Sequence, residues 1–175
     1  YWGHRNLFGH AEKLRIDGAI SGIGTNSVSK LNYNAGIMFE KPGVIGPASK
    51  FFANVKTVFE HPDAYDHFSI KGGVGLSYEL DKKQTVSAEV SLDYSRIHDA
   101  FGEHRYLIAS VPLQYVYDNR DNRLNPTRGF RVLAYAEPSY DLLSGATFLK
   151  LRGEGSAYQS LDSASKFVFA ERVAI

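Results

Sequence analysis

Apolar and polar residues alternate along most of this chain with a period of two, which a helix of period 3.6 cannot produce. Since successive side chains of a strand point to opposite faces, each alternating run predicts a β-strand with one apolar and one polar face. The clearest run extends from Phe68 to Leu80. The pattern predicts nine strands: Ala11 to Gly22, Lys30 to Glu40, Phe51 to Glu60, Phe68 to Leu80, Val86 to Ser95, Arg105 to Asp118, Phe130 to Tyr140, Leu149 to Ala157 and Lys166 to Ile175.

Residues that break strands separate these runs. We predict a turn-like aromatic segment from Tyr1 to His10, a loop that starts at Gly22, and further interruptions at Lys41 to Lys50, His61 to His67, Asp81 to Gln84, Ile97 to His104 and Asp141 to Thr147. Within the runs, Pro112 lacks a backbone N–H and predicts a bulge or a poorly paired segment. Glu171 interrupts the apolar side of the last run, which either a bulge or a position at a membrane edge would explain.

The most polar interruption, Asp118 to Gly129, predicts a hairpin turn between two strands. Its Asn and Asp side chains can bond their own backbone, Pro126 fixes one φ angle, and Gly129 admits left-handed conformations. We therefore expect one strand to end near Asp118 and the next to begin near Phe130.

The predicted strands are long enough to cross a membrane. Most extend over about 9 to 13 residues, close to the 9 to 11 or so of membrane-spanning strands, whereas strands of soluble proteins average about 5 or 6. Tyrosines near strand ends and glycines on the apolar face also favour lipid. The pattern thus predicts an all-β fold, an antiparallel up-and-down transmembrane β-barrel.

Charged residues lie in the middle of these strands, on the polar face. In a membrane barrel the apolar side chains face the acyl chains, and the charged ones line a wet lumen. The residues predicted to face the lumen are Lys13, Arg15, Asp17, Lys71, Glu89, Asp93, Arg131, Lys150, Arg152 and Glu154. A soluble ligand-binding β-barrel, with its apolar face inward, fits the alternation alone equally well.

The composition of the chain limits which partners, metal sites and catalytic groups it can have. The formal net charge of +1 gives no reason to expect nucleic acid as a partner, and the absence of cysteine removes disulfides and thiolate metal sites. The six histidines fall in turns or at strand ends without metal-ligand spacing, and the inward serines lack an orienting acid. We expect no metal, no cofactor and no enzymatic activity.

The ends of the chain suggest a piece of a larger barrel. The sequence does not begin with Met, and an odd number of strands would leave sheet edges unpaired, which lipid does not tolerate. We therefore expect residues 1–175 to form part of a barrel domain whose further strands lie outside this sequence.

Two segments of the chain resemble motifs of the Omp85 superfamily. Trp2 to Ile16 resembles the entry to an early barrel strand, with a turn formed by Asn6, Leu7, Phe8 and Gly9. Asp118 to Val132 resembles the mid-barrel hairpin of the family, whose Asp-x-Arg-Asp and Pro-Thr-x-Gly patterns fall on Asp118, Arg120, Asp121, Pro126, Thr127 and Gly129. The Asn-Leu-Phe-Gly variant resembles the TamA-like branch, the translocation and assembly module, more than the BamA-like one.

The resemblance implies a place in the middle of a barrel of about 16 strands in the bacterial outer membrane. The POTRA domains, the first and last strands and the lid loop of the family would lie outside this sequence. The implied activity is insertion or export of β-barrel and autotransporter substrates through the seam between the first and last strands. The implied partners are outer-membrane lipid, unfolded outer-membrane protein clients, and an inner-membrane or periplasmic protein that binds through the POTRA domains. The alternatives are a passive porin-like channel and the soluble barrel.

Overall fold

A computed structural model describes residues 1–23, 31–62, 64–162, 164 and 166–175. Within them, no helix is long and apolar enough to cross a membrane. The strands are β1 (Trp2–Arg5), β2 (Lys13–Ser21), β3 (Asn32–Pro42), β4 (Ser49–Glu60), β5 (Tyr65–Glu79), β6 (Gln84–Asp99), β7 (Gly102–Ser110), β8 (Leu113–Asp118), β9 (Arg128–Asp141), β10 (Thr147–Ser160) and β11 (Val168–Ala174). The loop predicted from Gly22 extends into residues 24–30, which lie outside the described residues, as does Asp63 in the predicted His61 to His67 turn.

These strands form one antiparallel sheet whose order follows the chain from β1 to β11. β7 and β8 share one position in that order, because both pair with β6 on one side and with β9 on the other. The longest strands, β5 and β6, contain 15 and 16 residues. The predicted all-β antiparallel up-and-down fold is confirmed.

The predicted strand count of nine is wrong in two places. The segment Tyr1 to His10, predicted as turn-like, contains β1, whose residues pair with β2 from Trp2↔Ile16 to Arg5↔Lys13. Four residues are too few for a period of two to show in the sequence. The predicted strand Arg105 to Asp118 is divided into β7 and β8.

The interruption between β7 and β8 is a poorly paired segment and not a bulge. From Ser110 to Leu113 the chain advances by three residues, and its partners on β6 and on β9 also advance by three. No extra residue therefore enters the ladder. Glu89 donates its N–H to the carbonyl of Pro112 over 2.9 Å, and Val111 donates to the carbonyl of Pro138 over 3.0 Å. Because proline has no N–H, each of these two pairs keeps one ladder hydrogen bond where an ordinary pair has two.

Several predicted loops are shorter than expected. The predicted loop Ile97 to His104 is mostly strand, since β6 continues to Asp99 and β7 begins at Gly102, where a φ of +130° favours glycine. Similarly, β3 extends to Pro42, inside the predicted breaker segment. The hairpin between β5 and β6 and the strand boundaries around Asp118 are as predicted.

Glu171 lies in a regular part of the sheet. The pairing of β10 with β11 is continuous from Glu154↔Ala174 to Ser160↔Val168, which excludes a bulge. Glu171 therefore shares the apolar face with Phe169 and Val173.

The sheet has no dry apolar core. Apart from Pro112, none of the described apolar side chains is buried, and Leu76, Val90 and Leu113 on the apolar face are 38%, 62% and 43% exposed. Besides Pro112 and Gly75, the buried residues are polar, and those on the strands lie on the opposite face or at strand ends: Ser49, Ser91, Ser110, Glu137, Ser139 and Asp141. We call the apolar face the outer face and the polar face the inner face.

Candidate functional site

The turn between β8 and β9 is organised around the carboxylate of Asp121. This carboxylate accepts hydrogen bonds from the Thr127 hydroxyl (2.6 Å) and from the backbone N–H groups of Asn122 (2.9 Å), Thr127 (2.9 Å) and Arg128 (3.1 Å). The Thr127 hydroxyl, followed by the N–H groups of Arg128 and Thr127, lowers the pKa of Asp121 far below its usual range. The Asp and the Thr of the family pattern therefore hold the turn closed.

The remaining motif residues fix how this turn joins the strands. Asn119 accepts a hydrogen bond from the Phe130 N–H over 2.7 Å. Gly129 has a φ of +97°, and a Cβ there would lie 2.6 Å from the Asn119 carbonyl oxygen, so the position requires glycine. Arg120 donates two hydrogen bonds to Asp118, at 2.8 and 2.7 Å, which form a bidentate pair. Pro126 lies in the turn itself, outside both strands.

The turn between β1 and β2 also has a carboxylate at its centre. The Glu12 side chain is 1% exposed and accepts hydrogen bonds from the N–H groups of Phe8 (3.2 Å) and His10 (3.0 Å). Desolvation raises the pKa of Glu12, but backbone N–H donors outweigh it and leave the pKa below its usual value. Asn6 and Gly9 adopt positive φ angles of 65° and 90°, and Asn6 accepts a hydrogen bond from Ala11 over 2.9 Å. Leu7 lies half-buried in the turn, and Phe8 is 69% exposed.

Both motif turns lie at the same end of the strands, where the sheet stops and the chain turns back. Because antiparallel neighbours alternate in direction, the β1–β2, β3–β4, β5–β6, β8–β9 and β10–β11 connections share one edge. We call this the motif edge. The opposite edge carries the β4–β5, β6–β7 and β9–β10 connections.

All ten residues predicted to face a lumen lie on the inner face. Residues paired across an antiparallel ladder share a face, and one continuous row runs from Lys13 through Glu40, Phe52 and Gly75 to Glu89. This row contains two of the ten, Lys13 and Glu89, and the other eight follow by the alternation of each strand and by its register. The structure therefore brings these residues together on one surface.

Glu137 is the centre of the ionic network on that surface. Its carboxylate lies 3.4 Å from the Lys71 ammonium and 3.8 Å from the Lys150 ammonium, and it accepts a hydrogen bond from the Tyr135 hydroxyl over 2.6 Å. Lys71 belongs to β5 and Lys150 to β10, so the network crosses the middle of the sheet. Glu137 lies three strand spacings and four residue positions from Lys71, so a flat sheet would separate their Cα atoms by about 20 Å. The two side chains nevertheless meet, which fits a concave inner face.

Glycines on β5 make room for side chains that lie across the inner face. Asn54 donates a hydrogen bond to Glu89 over 3.0 Å, across the intervening strand. A Cβ at Gly73 would lie 1.9 Å from the Glu89 carboxylate. A Cβ at Gly75 would lie 2.4 Å from the Phe52 ring and 2.6 Å from the Ala88 carbonyl oxygen. Gly75 therefore excludes larger residues, whereas a larger residue at Gly73 would displace the Glu89 side chain.

The inner face becomes basic toward β11. Glu154 accepts a hydrogen bond from Arg152 and lies 3.4 Å from the guanidinium of Arg172. Arg120 and Arg131 line the same recess as Glu154 and Arg172. At the other side of the sheet, Lys13 and Lys50 both approach Glu40, Arg15 pairs with Asp17 over 3.2 Å, and the strand register places Asp93 opposite Lys71.

Sequence reasoning missed the residues at the centre of these arrangements. Alternation places Glu137 on the polar face with Arg131, but it does not indicate the contact with Lys71, which comes from β5, a strand distant in sequence. Glu12 stands in the first motif, yet no pattern in the sequence indicates that its carboxylate is buried. Within the described residues, no three histidine, aspartate or glutamate side chains come together as metal ligands would.

Long antiparallel strands with an exposed apolar face and a charged opposite face define this chain as part of the wall of a transmembrane β-barrel. Residues 6–175 match the family model of the Omp85 superfamily domain. The chain therefore belongs to the Omp85 superfamily, as the two motifs predict.

A solved structure has the same fold. The chain is similar to BamA from Haemophilus ducreyi lacking POTRA domains 1–3, with a TM-score of 0.81 and 12% sequence identity over 98% of this chain. It spans 36% of the length of that BamA chain. None of the curated proteins matches this sequence.

Proposed function

We propose that this chain is part of an outer-membrane barrel that inserts or exports β-barrel and autotransporter proteins. The observation that carries the proposal is the match of residues 6–175 to the Omp85 superfamily domain. The fold likeness to BamA supports the architecture of the wall. No enzymatic step is part of the proposal.

The proposed orientation follows from the two faces of the sheet. The outer face contacts outer-membrane lipid, because its apolar residues are exposed and a bilayer core accepts them. The inner face lines a wet lumen, where the ionic network around Glu137 remains hydrated. A soluble ligand-binding barrel would instead need buried apolar side chains, and the described residues provide only Pro112.

The proposed partners are unfolded outer-membrane proteins and an inner-membrane or periplasmic protein bound through POTRA domains. Residues 1–175 would form the middle of the barrel, away from the seam at which clients pair, and would serve as its static wall. The Asn-Leu-Phe-Gly turn at Asn6 to Gly9 supports a TamA-like member.

Depletion of the full-length protein in its own bacterium tests this function. We expect folded outer-membrane proteins and surface-exposed autotransporters to decrease, and a plasmid copy of the gene to restore them. The readouts are heat-modifiable gel mobility for the barrels and surface labelling for the autotransporters. Unchanged amounts of both classes would contradict the proposal.

A passive channel is the second candidate, favoured by the charged inner face. The two functions separate in lipid vesicles that contain the purified full-length protein. An assembly factor accelerates the folding of an added unfolded barrel protein, whereas a passive channel accelerates efflux of a small dye and leaves client folding unchanged. Efflux without faster client folding would favour the channel.

A further inference from the structure

An unusual polar row lies on the outer face near the motif edge. There, Arg128 on β9 pairs with Gln159 on β10, which pairs with Phe169 on β11. The next row contains Phe130, Ala157 and Glu171. By strand parity all six side chains share the outer face. A cation and an anion therefore stand on the apolar face, with two aromatic rings beside them.

The charges of Arg128 and Glu171 have no ion-pair partner within 4 Å among the described residues. Both side chains are exposed. They border an open recess of about 570 Å³, which Phe130, Gln159 and Phe169 also line. Near the end of the strands such charges cost little in a membrane barrel, and they remain available to bind groups of opposite charge. The recess is therefore complementary to a ligand with one negative and one positive group.

A groove of small residues leads from this recess along β10. The outer-face residues of β10 below Gln159 are Ala157, Gly155 and Gly153, all of them small. The surface over Gly155 is open, and the Ile175 side chain, 3.2 Å from where a Cβ on Gly153 would lie, borders the groove at its far end. Val132 and Val173 stand on either side of Gly155. The groove ends at a second, apolar recess of about 920 Å³, lined in part by Ala134, Ala136, Leu151, Gly153 and Ile175.

The length of the groove matches one lipid leaflet. Six residue steps from Gln159 to Gly153 extend about 20 Å along the strand. Strands of membrane barrels are tilted by about 45°, so this distance along the strand corresponds to about 14 Å of depth in the bilayer. One leaflet of the hydrocarbon core is about 15 Å thick. A polar head at the recess would therefore place an acyl chain along the full groove.

We propose that this groove binds one phospholipid whose headgroup carries both a phosphate and a primary ammonium group. Arg128 binds the phosphate, Glu171 accepts hydrogen bonds from the ammonium, and an acyl chain lies along Ala157, Gly155 and Gly153. The inference rests on the proposed membrane orientation of the outer face. It assigns a specific lipid to one site on a wall that otherwise contacts bulk acyl chains.

Native mass spectrometry of the purified protein in detergent tests the site with three added lipids. Phosphatidylethanolamine has both headgroup charges and N–H donors, phosphatidylcholine has no N–H donors, and phosphatidylglycerol has no ammonium. We expect phosphatidylethanolamine to bind with about tenfold lower Kd than either of the others, as the loss of a charge-assisted hydrogen bond predicts. Equal retention of all three lipids would overturn the proposal.

Three variants locate the site. Glu171→Gln should reduce phosphatidylethanolamine binding to the level of phosphatidylglycerol, and Arg128→Gln should weaken both. Gly155→Leu should weaken both by filling the groove, and it should fold, because a Cβ at Gly155 meets no atom within 4 Å. Lys82→Gln, in an exposed turn of the same edge, is the control and should bind as wild type.

The outcome also separates this inference from the proposed orientation. If Glu171→Gln and Gly155→Leu keep the wild-type lipid preference, the site is wrong while the membrane wall stands. If the wild-type protein does not fold in vesicles at all, as judged by heat-modifiable gel mobility, both the orientation and the lipid site are wrong.

Discussion

The outer and inner faces of the same strands differ in what holds them in place. On the outer face, Leu92 is 47% exposed and needs only an apolar environment. On the inner face, Glu137 is held by two ammonium groups and a hydroxyl from other positions of the sheet. The stability of the outer face therefore depends on hydrophobicity alone, whereas that of the inner face depends on particular ion pairs and hydrogen bonds. Substitutions on the two faces should therefore fail for different reasons.

A charge in the middle of the outer face should have the largest effect. Leu92→Arg would place a guanidinium among acyl chains, and we expect it to lower the free energy of unfolding in lipid vesicles by about 2 to 4 kcal/mol. Lys71→Gln, one strand away on the inner face, should change it by less than about 1 kcal/mol. Urea titration of folding in vesicles measures both. Comparable losses would break the distinction between the faces.

Adding one methyl group should destabilise the inner face and not the outer one. Gly75→Ala would bring a Cβ within 2.6 Å of the Ala88 carbonyl oxygen, and we expect a loss of about 1 to 3 kcal/mol. Gly155→Ala on the outer face meets open space and should stabilise the strand by about 0.5 kcal/mol, since alanine loses less backbone freedom than glycine. Urea titration of folding in vesicles compares the two variants. A tolerated Gly75→Ala would refute the close packing over β5.

Removing the charge of Glu137 should have a smaller effect. Glu137→Gln keeps the size of the side chain but weakens its interactions with Lys71 and Lys150, and we expect a loss of about 1 to 2 kcal/mol. Glu79→Gln, an exposed carboxylate near a strand end, serves as the control and should be neutral. If both variants unfold at the same urea concentration as wild type, the network contributes nothing to stability.

The smallest effect should be local, at the motif edge where the two faces end. Asp121→Asn should speed hydrogen exchange at the Thr127 and Arg128 amides, while Asp66→Asn should leave it unchanged. Because folding lowers the pKa of Asp121, its contribution is present above the unfolded pKa of about 3.9 and is lost as the pH falls through the lower folded value. Protection of these amides, corrected for intrinsic exchange, should therefore persist from neutral pH to about pH 4. Loss of protection already near neutral pH would contradict this assignment.

Alternation alone predicted most of the strands, because the apolar and polar faces of each strand lie in different surroundings. Phe68 to Leu80 and Val86 to Ser95 are regular on both faces, and the structure pairs them as a hairpin. Trp2–Arg5 was missed because four residues carry no measurable period. The poor pairing at Pro112 was predicted from its missing N–H, but the division into two strands was not, because the residues on both sides keep the same parity.

The sequence located the two motif turns but not their internal chemistry. Asp121 and Thr127 stand in a recognisable pattern, so their turn was expected, whereas the burial of Glu12 depends on backbone N–H groups that only the folded turn aims at it. Likewise, the contact of Glu137 with Lys71 depends on the register and curvature of strands that lie far apart in sequence. Long-range contacts of this kind leave no local pattern.

Pro112 and Pro138 occupy neighbouring rows of adjacent strands, and each removes one donor from the ladder. The wall therefore has a line of reduced stiffness between β6 and β9, flanked by long, fully bonded hairpins on either side. Any change in the curvature of the wall would therefore concentrate along this line, and the strands on either side would move as two nearly rigid units.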